Sequence, residues 1–351
     1  MILLDENTAA DYLRANGRVA ADERLEVRCL AGGVSNVVLH IRREPARGSD
    51  FVLKQARPQL RVPEPWFCSI ERIWREVAVL QLCERCLGSA AGPASGIDVQ
   101  LPRLLFEDRA NYAFAMTAAP LGHTTWKQQL LDGRAEPETA RACGRLLGRL
   151  HAATWNNAEV ATLLDDRQFF DDLRLDPYYR HVARVQPDLQ GPLAELLDSV
   201  WQHRRALVHG DFSPKNLLVW PQALMLIDFE VGHYGDPAFD LGFFLTHLVL
   251  KSLRNEQRHA EYLQLATDFW ETYRATLEGP IGPTEWQALE ARAQFHLAGC
   301  LLARVDGKSR VDYPVPAARV RRLARDMLTI PPVTWSETTE RLAASADASE
   351  E

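Results

Sequence analysis

Residues Leu207–Val219 read LVHGDFSPKNLLV, two apolar runs around a polar insert that holds His209, Asp211, Lys215 and Asn216. Burying that many polar side chains beside apolar strands is costly unless each one is satisfied or used. The chain continues through the turn WPQA into LMLIDFE, Leu224–Glu230. Leu217–Val219 and Met225–Ile227 are predicted to pair as a hairpin, returning Asp228 to the loop that begins with Asp211. Any one of these polar residues alone reads as an ordinary turn or strand-end residue. The ordered set His-x-Asp-x-x-x-x-Asn, hairpin, Asp-Phe is much more specific.

That set matches what phosphoryl transfer needs: an acid to orient the acceptor hydroxyl, oxygen ligands for Mg²⁺, and a cation on the phosphates. Asp211 is the candidate catalytic residue. Asn216 and Asp228 are candidate metal ligands, because hard Mg²⁺ takes a few protein oxygens and keeps its own waters. Glu230, two residues after Asp228, reaches the metal directly or through water. The cation is Lys54, in the apolar run FVLKQ (Phe51–Gln55). Its expected partner is Glu76, on a predicted helix within SIERIWREVAVLQLCERCL (Ser69–Leu87), where Ile73, Val77 and Leu80 mark the face toward a sheet. Glu71 is the rival, on another helical face. In AGGVSN, Ala31–Asn36, Gly32 and Gly33 let backbone N–H groups approach phosphate closely, and Ser35 and Asn36 complete a nucleotide-binding turn. His209 is expected to brace the Asp211 loop. His233 follows the metal motif and either faces the acceptor or packs.

The rest of the chain sets the frame. Its 351 residues, 46% hydrophobic and 25% charged, suit packed globular cores and about two domains. The N-terminal part alternates like strands up to Met116, and nearly everything beyond Gly122 has helical spacing. The expected division is a nucleotide-binding lobe at 1–117, a catalytic and acceptor-binding lobe at 118–335, and a flexible tail at 336–351. A net charge of −7 argues against a nucleic-acid or anionic-membrane binder and mildly favours a cationic acceptor. The longest apolar run, Leu241–Leu250, is too short to span a bilayer. The N-terminus lacks the basic region of a signal peptide. Six scattered cysteines suit a reducing cytoplasm, with the Cys83/Cys86 pair expected simply to pack.

With these residues in view, the chain resembles the aminoglycoside phosphotransferase and choline kinase-like small-molecule kinases. VHGDFSPKNLLV, LIDFEVGHYGDPAFDLGFF, LLGRLHAATW and LLARVDGKSRVDY carry the resemblance, over roughly residues 5–335. FVLKQARPQLRVPEPWFCSIERIWREVAVL looks most like the methylthioribose kinase branch, although that branch's catalytic loop typically has no Asn at the position of Asn216. The resemblance implies an α+β, bilobal protein-kinase-like fold with a small β-rich N-lobe and a larger, mainly helical C-lobe. It implies ATP and Mg²⁺ as cofactors, adenine received by the backbone around Met116 and Ala118, and Asp240 bracing the catalytic loop. Arg304 falls near the acceptor pocket by the same likeness. The implied activity is transfer of the γ-phosphate of ATP to a hydroxyl of a small molecule, possible acceptors being a methylthioribose-like sugar, an aminoglycoside or an amino alcohol. A catalytically silent nucleotide-binding protein on the same fold is the alternative. Eleven residues separate Asp228 from Asp240, too few for the activation segment and docking platform of a protein kinase.

Overall fold

The structure, a computed structural model, describes residues 1–30, 35–60, 67–87 and 96–347. Gly32 and Gly33 lie outside the described residues. Two compact units emerge: Met1–Arg85 with Leu101–His123 and Ile227–Glu230, and Cys86–Gln100 with Thr124–Leu226 and Val231–Glu351.

Eleven strands are present among the described residues: β1 Leu25–Cys29, β2 Asn36–Arg43, β3 Phe51–Ala56, β4 Asp98–Gln100, β5 Leu104–Asp108, β6 Ala113–Thr117, β7 Thr124–Thr125, β8 Ala206–Val208, β9 Leu217–Trp220, β10 Ala223–Leu226 and β11 His233–Gly235. In the first unit, five form an antiparallel sheet in the order β1-β2-β3-β6-β5. The alternation along β3 divides its side chains between two cores. Phe51 and Leu53 join Leu39, Ile41, Ala113, Ala115 and the N-terminal Tyr12 and Leu13. Val52 and Ala56 face Ile73 and Val77 of the helix Arg72–Leu87. Lys54 has the same parity as Val52 and Ala56, so it points toward that helix from the central strand of the sheet. This is why it is buried rather than solvated.

The second unit has a four-stranded sheet, β4-β10-β9-β7, in which β4 and β10 run parallel and the other pairs are antiparallel. The hairpin β9–β10 pairs Leu217 with Leu226. β8 and β11 form a separate antiparallel pair. Around them pack long helices, including Pro137–Thr154, Ala238–Arg254, His259–Ile281 and Pro283–Asp306. The helices Pro137–Thr154 and His259–Ile281 approach so closely that a Cβ on Gly144 would lie 2.5 Å from the Phe269 carbonyl.

Two expectations about organisation are corrected. The division does not fall at residue 117: β4 pairs with β10, so residues 86–100 belong to the second unit, while Ile227–Glu230 belong to the first. Nor are residues 336–347 a flexible tail. They lie in the helix Trp335–Asp347, with Trp335, Thr338 and Leu342 buried. Their spacing of three and four residues makes one helical stripe, and Trp335 stacks on Trp270 with ring centroids 5.7 Å apart. Among the described residues, no helix is long and apolar enough to cross a membrane, and no disulfide is formed.

Candidate active site

In the first unit, β3 and the helix Arg72–Leu87 put Lys54 and Glu76 face to face. Lys54 Nζ lies 2.6 Å from Glu76 Oε1 and 3.0 Å from Asp228 Oδ1. The Lys54 and Glu76 side chains are 5% and 0% exposed, against 24% for Asp228. Burial works against the ammonium, but Glu76, then Asp228 and Glu230, outweigh it and hold the Lys54 pKa above its ordinary value. Glu71 sits exposed one turn earlier and hydrogen-bonds the Tyr112 hydroxyl instead. Asp228 has φ +73°, a left-handed conformation uncommon for a side-chain-bearing residue, and such strain concentrates at functional sites.

Beside this pair lies a buried network that the sequence did not announce. Arg72 is completely buried, and its Nε donates to Glu230 Oε2 at 3.1 Å. Its remaining donors go to the carbonyls of Cys68, Ser69, Ser35 and Arg57. Ser35 Oγ donates to Glu230 Oε1 at 2.6 Å, and Asn36 Nδ2 to Oε2 at 3.0 Å. The side chains of Ser35 and Asn36, expected at the nucleotide, are therefore spent on Glu230. Glu230 in turn anchors strand β2 and the start of the helix, and both its oxygens already accept from protein donors. Removing one partner of a buried ion pair leaves the other charge uncompensated. Arg72→Leu is accordingly expected to lower unfolding stability by about 3–5 kcal/mol, with Glu230→Gln recovering part of the loss. Urea unfolding of the single and double variants measures this, and a loss below about 1 kcal/mol would contradict the assignment.

Glu76, Asp228 and Glu230 offer carboxylate oxygens within 4.8 Å of one another. An all-oxygen set of this kind fits Mg²⁺. With Glu76 held by Lys54 and Glu230 by Arg72, the partly exposed Asp228 is the member best placed to take an ion.

In the second unit, the polar insert is held from several sides. The Asp240 carboxylate accepts from the backbone N–H of His209 at 2.7 Å and of Gly210 at 2.8 Å. His151 lies on the far side of Asp240 at 3.4 Å and is fixed by the Tyr273 hydroxyl at 2.7 Å. Gly210 has φ +75°, and a Cβ there would sit 3.0 Å from the Val231 carbonyl, so glycine is required. Asp211 is 3% exposed. Asn216 Nδ2 donates to both the Asp211 carbonyl and its Oδ2, at 2.9 Å each. That leaves the Asn216 amide oxygen as the atom a metal would use. Arg174 Nη2 and Lys215 Nζ each lie 2.9 Å from Asp211 Oδ2, and Arg174 Nε donates to the Gly210 carbonyl at 2.7 Å.

The comparisons with known proteins fall in line with this chemistry. The model of the phosphotransferase enzyme family (APH) matches residues 26–279. The chain belongs to the phosphotransferase enzyme family. Among the relatives of this family member, a methylthioribose kinase from Citrobacter koseri is 25% identical over 269 residues, 69% of this chain and 64% of that protein. Methylthioribose kinase 2 from Oryza sativa subsp. japonica is 24% identical, over 70% of this chain and 62% of the relative. The chain thus aligns with less than two thirds of those proteins. Among solved structures, an amicoumacin kinase in complex with AMP-PNP and Ca²⁺ superposes with a TM-score of 0.55 at 15% identity, covering 95% of this chain and 96% of that one. A choline kinase from Cryptosporidium parvum Iowa II gives 0.53 at 10% identity, covering 99% and 96%. The fold is kinase-like.

The remaining candidates of this phosphotransferase-family chain divide unevenly. Met116 lies near the end of β6, opposite Val52, and Ala118 follows just past the strand. His233 does not face solvent. It is 1% exposed, its ring stacks on Phe170 at 4.0 Å, and Nδ1 lies 3.0 Å from the Val231 carbonyl. Of the two roles expected for it, packing is the one these contacts describe, with β11 and Phe170 around the ring. Arg304 is half-buried on the helix Pro283–Asp306, and its Nη1 donates to the Tyr178 hydroxyl at 2.8 Å. Arg72 and Arg174 were missed. Arg72 stands next to Ile73 and one turn before Glu76, a weak hint of burial. Arg174 lies in DDLRLDPYYR, where nothing in the sequence separates it from a surface arginine.

Proposed function

We propose that this chain is a small-molecule kinase that moves the γ-phosphate of Mg-ATP to a hydroxyl of its acceptor. The observation that carries this reading is Asp211, a nearly buried carboxylate held by Arg174, Lys215 and Asn216 in a loop braced through Asp240. Phosphoryl transfer passes through a loose transition state, so the protein mainly positions groups and neutralises charge. Asp211 orients the acceptor hydroxyl and takes its proton as the new P–O bond forms and ADP leaves. Lys54, held by Glu76, places its ammonium on the nucleotide phosphates. Asp228 and the amide oxygen of Asn216 are the oxygen ligands assigned to Mg²⁺, which when bound neutralises phosphate charge. Glu230 supports Asp228 through the Arg72 network. The backbone from Met116 to Ala118 is assigned to adenine.

The named relatives favour a methylthioribose-like sugar as acceptor, with an aminoglycoside or an amino alcohol as the second reading. The free cysteines fit a reducing compartment such as the cytoplasm. A catalytically silent protein usually lacks the acid, the lysine or a metal ligand, and here Asp211, Lys54, Asn216 and Asp228 are all present. The test is ADP release from Mg-ATP across a panel of hydroxylated metabolites. Acceptor-dependent release is expected for at least one neutral or charged polyol. ATP binding without turnover for any of them would favour the silent reading.

A further inference from the structure

The second unit contains a group of cations that the loop around Asp211 does not use. Lys251, on the helix Ala238–Arg254, is 2% exposed. Its ammonium donates to the His247 carbonyl at 3.1 Å and lies 3.4 Å from the Tyr313 hydroxyl. Arg304 reaches the Tyr178 hydroxyl and Ser309. Among the described residues, neither Lys251 nor Arg304 has a carboxylate within salt-bridge distance, and the nearby Asp312 is taken by Lys127 at 2.6 Å. Two further polar atoms of the cluster are buried without a hydrogen-bond partner among the described residues: His247 Nε2, on a side chain 7% exposed, and Arg304 Nε.

Isolated buried cations are expensive, and folded proteins pair them or leave them for a ligand. Burial first, then Lys127 and Arg304, push the Lys251 pKa down to about 7. Burial and the same cations, with Lys215 among them, hold His247 well below its ordinary value. The group adjoins the Asp211 loop. Lys215 contacts Asp211 directly, and the Arg174 guanidinium lies 5.7 Å from the Phe243 ring. Phe243 packs on His247 at 5.1 Å and on Tyr178 at 5.9 Å, and Tyr178 receives the Arg304 bond.

We propose that Lys251 and Arg304, with His247 beside them, form an acceptor subsite for an anionic group, so that the acceptor is a hydroxylated compound bearing a carboxylate or a phosphate, in place of the neutral sugar or the cationic acceptors that likeness to the relatives alone favours. The chemistry of recognition is an oxyanion received by an ammonium, a guanidinium and an imidazole, with the Tyr313 hydroxyl at its edge. The overall negative charge of the chain does not oppose this, because a local cluster of desolvated cations sets the potential at the subsite. The assignment of the subsite to the acceptor rests on the kinase reading, whereas the anion-binding site itself does not.

The experiment is titration of the full chain, without nucleotide and at constant ionic strength, with inorganic phosphate, acetate, glycerol and ethanolamine. Calorimetry and thermal unfolding are the readouts. Phosphate or acetate is expected to bind, the stronger of the two naming the anion class, and glycerol and ethanolamine are expected not to. Hydrogen bonds to charged groups contribute about 1.5–3 kcal/mol, so Lys251→Met and Arg304→Gln should each weaken the anion roughly 10- to 100-fold. Repeating the titration with ADP added to fill the nucleotide position should leave the response unchanged, which separates this subsite from phosphate held there. Lys251→Met is also expected to keep or raise the Tm of the ligand-free protein at neutral pH, since it removes an unpaired buried amine. Equal anion responses in wild type and Lys251→Met, or no anion response in either, would overturn the proposal. Either result would leave acceptor-dependent ADP release to be judged separately.

Discussion

Asp211→Asn is expected to lower kcat by about 10²–10⁴-fold, the range of a lost general acid–base group, while Mg-ATP affinity stays within about twofold of wild type. The substitution keeps the size and hydrogen-bonding reach of the side chain but removes the oxyanion that orients the acceptor hydroxyl and accepts its proton. It also leaves Arg174 and Lys215 facing a neutral amide at the positions they hold 2.9 Å from Oδ2. The split between kcat and nucleotide affinity matters because the residues assigned to the phosphates, Lys54 and Asp228, are unaltered. Arg174→Lys should lie between the two states. It retains the charge near Asp211, but a single ammonium cannot hold both the carboxylate and the Gly210 carbonyl as the guanidinium does. Steady-state kinetics with a calorimetric titration of Mg-ATP measure both quantities. Turnover within a few-fold of wild type for Asp211→Asn would remove this residue from the chemistry.

The second large effect concerns Lys54 and Glu76. Each is buried and each is the other's nearest counter-charge at 2.6 Å, so the loss of one leaves the other uncompensated. Breaking a buried pair costs about 3–5 kcal/mol, equivalent to roughly 10²–10⁴-fold in kcat/KM if the whole cost falls on the transition state. Lys54→Met and Glu76→Gln are each expected to show a loss of that order, and the double variant little more than either. Residues that act as one unit are non-additive in this way. Glu71→Gln should be close to neutral, because Glu71 is exposed and turned to Tyr112. Simple multiplication of the two losses would show that Lys54 and Glu76 act independently.

Much of this arrangement is legible in the sequence because local rules and global packing agree there. The alternation in FVLKQ fixes which face Lys54 occupies, and Ile73, Val77 and Leu80 fix the helix register that brings Glu76 to it. The hairpin β9–β10 follows from two short apolar runs around a Pro-containing turn. Other features depend on groups far apart in the chain, which no local pattern reports. Glu230 reads as a metal neighbour of Asp228, yet its environment is set by Arg72, 158 positions earlier. Arg174 reaches Asp211 across 37 positions from a segment of π-helical pitch, where helical periodicity gives no guide to side-chain direction. The helix Trp335–Asp347 was hidden by its polar composition, since three buried positions are enough to dock it. Overall charge likewise does not report local clusters: Lys251 and Arg304 lie 53 positions apart in the chain and are brought into one neighbourhood only by folding.

The central claim is that this chain makes a phosphate ester from Mg-ATP at Asp211. It is tested most directly by following the γ-phosphate itself. Purified chain, Mg²⁺ and ATP labelled at the γ-position are incubated with the hydroxylated metabolite that releases most ADP, and the products are read by phosphorus NMR and mass spectrometry. The account predicts label in a new phosphate monoester of the acceptor, formed in equal amount to ADP, dependent on Mg²⁺, and absent with Asp211→Asn. Label appearing only as inorganic phosphate, at the same rate in wild type and Asp211→Asn, would contradict it.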